Sequence, residues 1–190
     1  MPITPYHFGP GLLIGLLFLS FIDFPTFLIA SVMLDIEPLL VLVFNLDYPL
    51  HGFFHSFLGG TIIALILTVI MVKIRKIFTP IMSFFKIEQN ISFKKILLAS
   101  LFGIYIHILL DSPIYTDIQP FFPLDFNPFY RNTDLPGSLE MMICVWCFIA
   151  GFIIYIIRLI IFMIKHPRKN RAANNDNNKL KTKFLSFDFL

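Results

Sequence analysis

Six positions in this chain carry side chains able to hold a metal ion, and their spacing is what makes them a set. His51 and His55 lie four residues apart within Pro49-Leu50-His51-Gly52-Phe53-Phe54-His55-Ser56, at the mouth of a long apolar run. On a helix, residues i and i+4 share one face, one turn apart, so two imidazoles at that spacing can grip one ion. A second pair, His107 and Asp111 in His107-Ile108-Leu109-Leu110-Asp111, repeats the spacing at the end of another apolar run. His7 and Asp35 complete the candidate ligand set. Imidazole and carboxylate together suit zinc, and also iron, manganese or nickel. Six such groups are enough for one ion or for two. Glu37 sits beside Asp35 and ahead of Pro38. It is a candidate ligand, a carboxylate that orients a histidine from behind, or a helix-start residue. For a catalytic site, Asp35 and Glu37 are the candidates for ligand and general base in turn, because a metal that activates water needs a carboxylate near that water.

The elements that must position these groups are membrane helices. Of the 190 residues, 57% are hydrophobic and 14% charged, with 24 phenylalanines; soluble domains carry about 25% charged residues. The expected fold is all-α: a polytopic membrane helical bundle of four to five transmembrane or re-entrant helices with an ordered outer loop. Residues 9–22 are a first apolar segment, short for a span of roughly 20 residues, and fit either a tilted span or a re-entrant hairpin. A second runs from Thr26 to about Phe44, interrupted at Asp35-Ile36-Glu37-Pro38. Further spans are expected at residues 52–72, Phe93 to Leu110 and Ser138 to Ile164, with an interfacial segment over Phe78 to Gln89. The stretch from Ser112 to Gly137 carries five prolines and several aromatic residues, and reads as an ordered lid. The N-terminus has no basic region ahead of its apolar run, which argues against a cleaved signal peptide.

Charge sets the topology. No Lys or Arg precedes Lys73, and 13 of the 15 basic residues fall in Lys73 to Lys95 or in the tail from Lys165. Short Lys- and Arg-rich segments stay in the cytoplasm. Between them, Asp111 to Gly137 holds four aspartates and one arginine and is expected on the outer side. That places both ligand pairs, distant in sequence, at one face of the membrane. The expected domains are a membrane domain over 1–166 with its metal site at the outer face, and a basic cytoplasmic tail over 167–190 without fixed structure. The location expected is a bacterial inner membrane, crossed several times. The partners expected are membrane lipid and a lipid-linked substrate; nothing points to nucleic acid.

The remaining candidates are weaker. Cys144 and Cys147 have redox spacing but lie inside an apolar span and read as buried apolar cysteines. Arg131 is placed to pair with Asp134 or a lipid headgroup, or to hold a phosphate. His166, among basic residues, implies no site. No serine-nucleophile elbow or phosphate-cradling glycine loop is present.

In its order of motifs the chain resembles a family of small bacterial inner-membrane proteins, the membrane-bound metal-dependent hydrolases. The family shows an early Thr-His, a Pro-Asp-x-Asp, a His-Arg-Gly-x-Thr-His-Ser and a Ser-His-x-x-Leu-Asp. The corresponding residues are His7, Asp35-Ile36-Glu37, His51 with His55-Ser56, and His107 to Asp111, over roughly residues 5 to 123. Glu37 replaces the second aspartate and Leu34 the proline, the arginine after His51 is absent, and the His51–His55 spacing is one residue shorter. The His-x-x-x-Asp pair is also similar to part of the tri-zinc site of zinc phospholipase C and P1 nuclease. The resemblance implies a divalent metal, zinc foremost, and hydrolysis of a lipid-linked or phosphorylated ester. Two other readings stand beside it: a membrane protein that binds metal without catalysis, and a structural membrane protein whose histidines only hydrogen-bond. A transporter needs polar groups along a path to both sides, and the inner halves of the spans offer only Thr68, Tyr155 and Arg158.

Overall fold

In a computed structural model, residues 4–132 and 137–165 are described, and these are helical with no strand. The tail expected to be unstructured, His166 and Asp134 lie outside the described residues. Among the described residues seven α-helices form: α1 (Phe8–Leu17), α2 (Phe24–Met33), α3 (Ile36–Phe44), α4 (Phe57–Ile74), α5 (Thr79–Phe84), α6 (Phe93–Asp111) and α7 (Ser138–Lys165). Among the described residues, four stretches are long and apolar enough to cross a membrane: Phe24–Phe44, Phe57–Phe84, Phe93–Asp111 and Ser138–Lys165. The expected all-helical membrane bundle is what the chain forms. The chain divides into two compact units, Met1–Ile154 and Tyr155–Leu190. In the second, the described residues, Tyr155 to Lys165, are the last turns of α7, mostly exposed and apolar.

Within the first unit, α6 is the central rod. Helix α2 runs parallel to it: the Asp23 amide meets the Lys95 carbonyl near their starts, and Ser31 meets His107 near their ends. Helix α4 runs antiparallel, with Gly60 against Ile104 and Ile108. Small residues permit this closeness. A side chain on Gly103 would lie 2.5 Å from the Ala30 Cβ, and Ala30, Ala64 and Ile104 belong to one buried cluster with Leu34, Leu67, Met71, Ile96 and Ile108. Lipid tails are as apolar as leucine, so helices in a bilayer associate through such close packing and not through burial of apolar area. Helix α1 is ten residues long, about 15 Å at 1.5 Å per residue, half of a hydrocarbon core. It folds back on α2, with Gly11 against Ser31 and Gly15 against Phe24. The first apolar segment is therefore the short arm of a helical hairpin.

The second span breaks where its polar residues fall. Pro38 has no N–H to give the Leu34 carbonyl, and its ring would clash with that carbonyl in a continuous helix. The chain passes the break on tighter bonds, Asp35 N–H to the Val32 carbonyl and Glu37 N–H to the Leu34 carbonyl. Non-helical backbone is tolerated at membrane depth only where protein encloses it, and Leu34 and Asp35 are buried.

The far end of the bundle is locked by polar groups. The Arg75 Nε donates to Asp23 Oδ1 at 2.6 Å, both side chains buried, and Asp23 also caps α2 through Thr26. The Gln89 Nε2 donates to the Leu19 and Ile22 carbonyls, and its Oε1 accepts from the Phe24 amide. The segment expected at the interface is thus partly packed: α4 continues through a 3-10 turn at Arg75–Phe78 into α5, and Met82 and Ile87 are buried. Cys144 is buried and Cys147 half-buried, both as free thiols.

Candidate metal centre

At the opposite end of α4 and α6 from Arg75, the structure gathers all six expected ligands into two groups. His7, Asp35, His107 and Asp111 form one and His51, His55 and Asp111 the other; in each, one ligand atom per residue lies within 4.8 Å of the others, and every member is buried. Asp111 belongs to both. Its Oδ1 is 3.1 Å from His7 Nε2 and its Oδ2 is 3.3 Å from His107 Nε2. Asp35 Oδ1 lies 3.8 Å from the same His107 nitrogen. The imidazoles are in mutual contact, with ring centroids 4.3 Å apart for His7 and His107, 4.8 Å for His51 and His55, and 5.6 Å for His55 and His107.

Different devices aim these groups. His107 and Asp111 share a face of α6 at i, i+4, as the spacing predicts. His51 and His55 do not lie on one helix, contrary to that expectation. Residues Phe53–His55 form a 3-10 turn ahead of α4, and the two rings meet because the chain turns back on itself. Tyr48 Oη accepts from the Phe53 amide at 2.9 Å, and the Tyr48 ring lies so close that any side chain on Gly52 would collide with it. Ser56 then caps α4: its Oγ accepts from the Gly59 amide and donates to the Phe53 carbonyl. The span expected from residue 52 therefore starts at Phe57. Asp35 is delivered by the helix break, and His7 by the 3-10 turn that leads into α1.

Three of the four histidines are held from behind in the same way. His107 Nδ1 lies 2.8 Å from the Ser31 carbonyl oxygen, His55 Nδ1 2.7 Å from Glu37 Oε2, and His51 Nδ1 3.0 Å from Asp117 Oδ1. A carbonyl or carboxylate oxygen accepts, so each Nδ1 carries a proton and each Nε2 is turned toward the cluster. Metal-binding histidines are oriented in this way. Asp117 also accepts from the His51 amide at 3.0 Å. Burial alone would raise the Asp117 carboxyl; the hydrogen bonds from the His51 side chain and backbone outweigh it and hold the group below its usual range. Burial pushes the His55 imidazole down, and the Glu37 hydrogen bond does not restore it, which favours the neutral ring that a metal requires.

The donor set fits a divalent cation on the polar atoms themselves. Among the described residues, nine buried side-chain nitrogen and oxygen atoms lack a hydrogen-bond partner, and seven are here: His7 Nδ1, both Asp35 oxygens, Asp111 Oδ2, and Nε2 of His51, His55 and His107. A buried polar atom without a partner is costly, and a buried carboxylate more so. His107 Nε2 faces Asp111 Oδ2 at 3.3 Å, a pairing that needs a proton or a metal ion between the two atoms. A cation in each of the two groups would take one donor atom from every member.

Glu37 hydrogen-bonds the far nitrogen of His55, and its Oε1 is 3.4 Å from the Phe54 amide. Its position is that of a group orienting His55. Asp35, with both oxygens unpartnered, points into the cluster. Asp117 and Tyr115 were not among the residues singled out in the sequence; both come from the proline-rich loop. The Tyr115 ring stacks on His51 at 4.1 Å, and burial together with nearby carboxylates pushes its phenol up, so it stays a neutral donor. The loop is ordered as expected over its described part: the Phe57 amide donates to the Pro120 carbonyl, Asn127 Nδ2 to the Ser112 carbonyl, and the Arg131 amide to the Pro113 carbonyl. Arg131 Nη1 is 3.3 Å from Glu140 Oε1.

No protein-family model, curated protein or solved structure matches this chain. What the site can do is read from its own geometry.

Proposed function

We propose that this is a membrane-bound metal-dependent hydrolase, with the cluster holding two divalent ions, zinc foremost, on either side of Asp111. The observation that carries the reading is the sharing of Asp111 by two ligand groups whose imidazoles are oriented from behind by Glu37, Asp117 and the Ser31 carbonyl. Histidine and carboxylate donors match zinc. The metal would be held by His7, Asp35, His107 and Asp111 on one side, and by His51, His55 and Asp111 on the other. Bound there, it supplies Lewis acidity toward an ester or phosphoryl oxygen and brings the pKa of water toward neutrality.

The chain's own residues do the rest. Asp35 has a second oxygen free to hold a proton. Tyr115 packs on His51 and, with the loop from Ser112, limits water over the cluster. The location that goes with this reading is a bacterial inner membrane with the cluster on the outer side, because the basic residues Lys73, Arg75, Lys94 and Lys95 lie at the other end of α4 and α6. The substrates that fit a site in this setting are lipid-linked or phosphorylated esters. The motif order that resembles the membrane-bound metal-dependent hydrolases falls on the clustered residues, and this also supports the reading.

The test is elemental analysis of the full chain purified without chelator, alongside turnover of a panel of lipid phosphoesters and esters. Two ions per chain are expected in wild type. Asp111→Asn should lower both occupancies and abolish turnover, and His51→Ala should lower one. A wild type that holds no metal and gains no stability from added zinc defeats the reading in favour of hydrogen-bonded histidines. Bound metal without turnover across the panel leaves a metal-binding protein.

A further inference from the structure

A buried charge at the other end of the bundle is only partly answered. Arg75 is 2% exposed, and among the described residues its side chain makes one hydrogen bond, from Nε to Asp23 Oδ1 at 2.6 Å. A guanidinium has further N–H groups to place, and Arg75 Nη1 is buried with no partner. Arg75 also lines a cavity of about 450 Å³, with Thr79, Glu88, Gln89, Asn90 and Ile91 among others, a volume in the range of small-ligand sites. We infer that this cavity binds a phosphate group, presented by the headgroup of a membrane lipid. The inference stands apart from the metal cluster, which lies at the opposite end of α4 from Arg75.

The lining selects an anion. A planar guanidinium with N–H groups to spare matches the oxygens of a phosphate, and a buried N–H group left unpaired is costly. Thr79 and Asn90 add a hydroxyl and an amide to the wall. The Gln89 amide is already engaged by Leu19, Ile22 and Phe24. A cation finds little here. Asp23 Oδ1 is taken by Arg75 and Oδ2 by Thr26, and Glu88, which is exposed, accepts from the Ser83 hydroxyl at 2.7 Å. Residues 73–95 hold six basic side chains and one acidic one, so the field at this end draws phosphate in. The source of the phosphate is read from the rim. Ile91 lines the cavity and is exposed, as are Ile77, Ile81 and Phe84 on the turn and helix beside it. These apolar side chains flank a basic cavity in a stretch long and apolar enough to cross a membrane, the setting in which lipid headgroups meet basic side chains. A lipid can set its phosphate against Arg75 and its tails along these side chains. A free phosphate uses only the first contact.

The experiment is native mass spectrometry of the full chain in dodecyl maltoside, a detergent without phosphate. The protein is titrated with dioleoyl-phosphatidylglycerol, with dioleoylglycerol, which has the same tails and no phosphate, and with inorganic phosphate. Wild type should bind phosphatidylglycerol and, at equal concentration, neither of the others. Thr79 and Asn90 are exposed, so Thr79→Glu and the nearly isosteric Asn90→Asp put a carboxylate at the cavity wall without disturbing the core. Each should weaken phosphatidylglycerol binding by about tenfold, because a carboxylate beside a phosphate is repulsive, while metal content stays that of wild type. Lys76→Ala removes an exposed charge from outside the lining and should weaken binding by about twofold at most, since exposed charges are screened. Equal loss in all three variants, or no loss in Thr79→Glu and Asn90→Asp, leaves only attraction to a basic surface and overturns the cavity. Dioleoylglycerol bound as tightly as phosphatidylglycerol overturns the phosphate. Inorganic phosphate bound as tightly as the lipid, and lost in the same two variants, keeps the phosphate site and overturns the lipid as its source.

Discussion

Glu37→Gln separates two roles that one carboxylate next to a metal site can play. Glu37 Oε2 lies 2.7 Å from His55 Nδ1, a charge-assisted distance, on the side of the ring away from the cluster. The amide of glutamine is nearly isosteric. Its oxygen can still accept the Nδ1 proton, but without the charge that makes the imidazole a stronger donor to metal. If the amide turns its NH2 inward, the proton must move to Nε2, and His55 no longer has a lone pair for the ion. Removing the group that orients a metal-binding histidine costs about 10–100-fold in affinity, or about 1.4–2.7 kcal/mol. The loss should fall on the ion held by His51, His55 and Asp111. The other group is anchored by Ser31 and α6 and should keep its affinity. The assay is a competitive chelator titration of detergent-purified protein with zinc, which resolves a tight and a weakened step, followed by turnover at saturating zinc. Saturation should restore most of the rate if Glu37 only orients. A general base behaves differently, because its loss costs about 10²–10⁴-fold in rate however much metal is present. Unchanged zinc affinity with a rate still down a hundredfold at saturation would refute the orienting role and return Glu37 to the position of base.

Two further outcomes test the frame around the site. A cysteine at Phe126, in a background with Cys144 and Cys147 replaced by alanine, should react with an impermeant thiol reagent on intact cells; reaction only after the membrane is broken reverses the proposed orientation. Arg75→Leu leaves the Asp23 carboxylate buried with Thr26 as its remaining side-chain partner, and should cost about 3–5 kcal/mol of stability in a detergent denaturation series, much of it recovered in the double variant with Asp23→Leu. A single variant as stable as wild type would show that water or lipid headgroups reach Asp23.

The helices were legible because lipid demands long apolar runs, and the runs at Phe57, Phe93 and Ser138 leave few alternatives. His107 and Asp111 were legible for a related reason: inside a regular helix, sequence spacing is spatial spacing. The same inference misled at His51 and His55. Nothing in Gly52-Phe53-Phe54 marks the 3-10 turn, which depends on Tyr48 packing over Gly52 and on Ser56 capping α4, both contacts outside the pair. Pro38 signalled the break beside Asp35, but not that the freed residues would face α6. Asp117 was hidden because it lies 66 residues from His51, and an aspartate in a proline-rich loop has many ordinary uses. The Ser31 carbonyl could not be read at all, since a backbone oxygen has no side-chain signature. What sequence shows is which groups need partners; which partner each finds is settled by loops and by close helix packing.

The cluster also explains why the loop from Ser112 is ordered in a chain otherwise built of helices. His7, Asp35, His51, His55, His107 and Asp111 come from four separate stretches, and Asp117 extends the network into a fifth. None of these stretches holds a full ligand set, so an ion bound here ties the start of the chain to α6 and the turn before α4 to the helix break. Asp117 then makes the loop's position depend on His51: the carboxylate takes both the ring and the amide of that residue, while Tyr115 covers the ring face. Seven buried polar atoms of the cluster have no hydrogen-bond partner, and the carboxylates of Asp35 and Asp111 face each other's field across His107. The Gly60, Ala30 and Gly103 contacts hold α2, α4 and α6 close whether or not the ion is there. The helices thus provide a frame that keeps its costly polar atoms together, and an ion held there would fix the described part of the loop beside them.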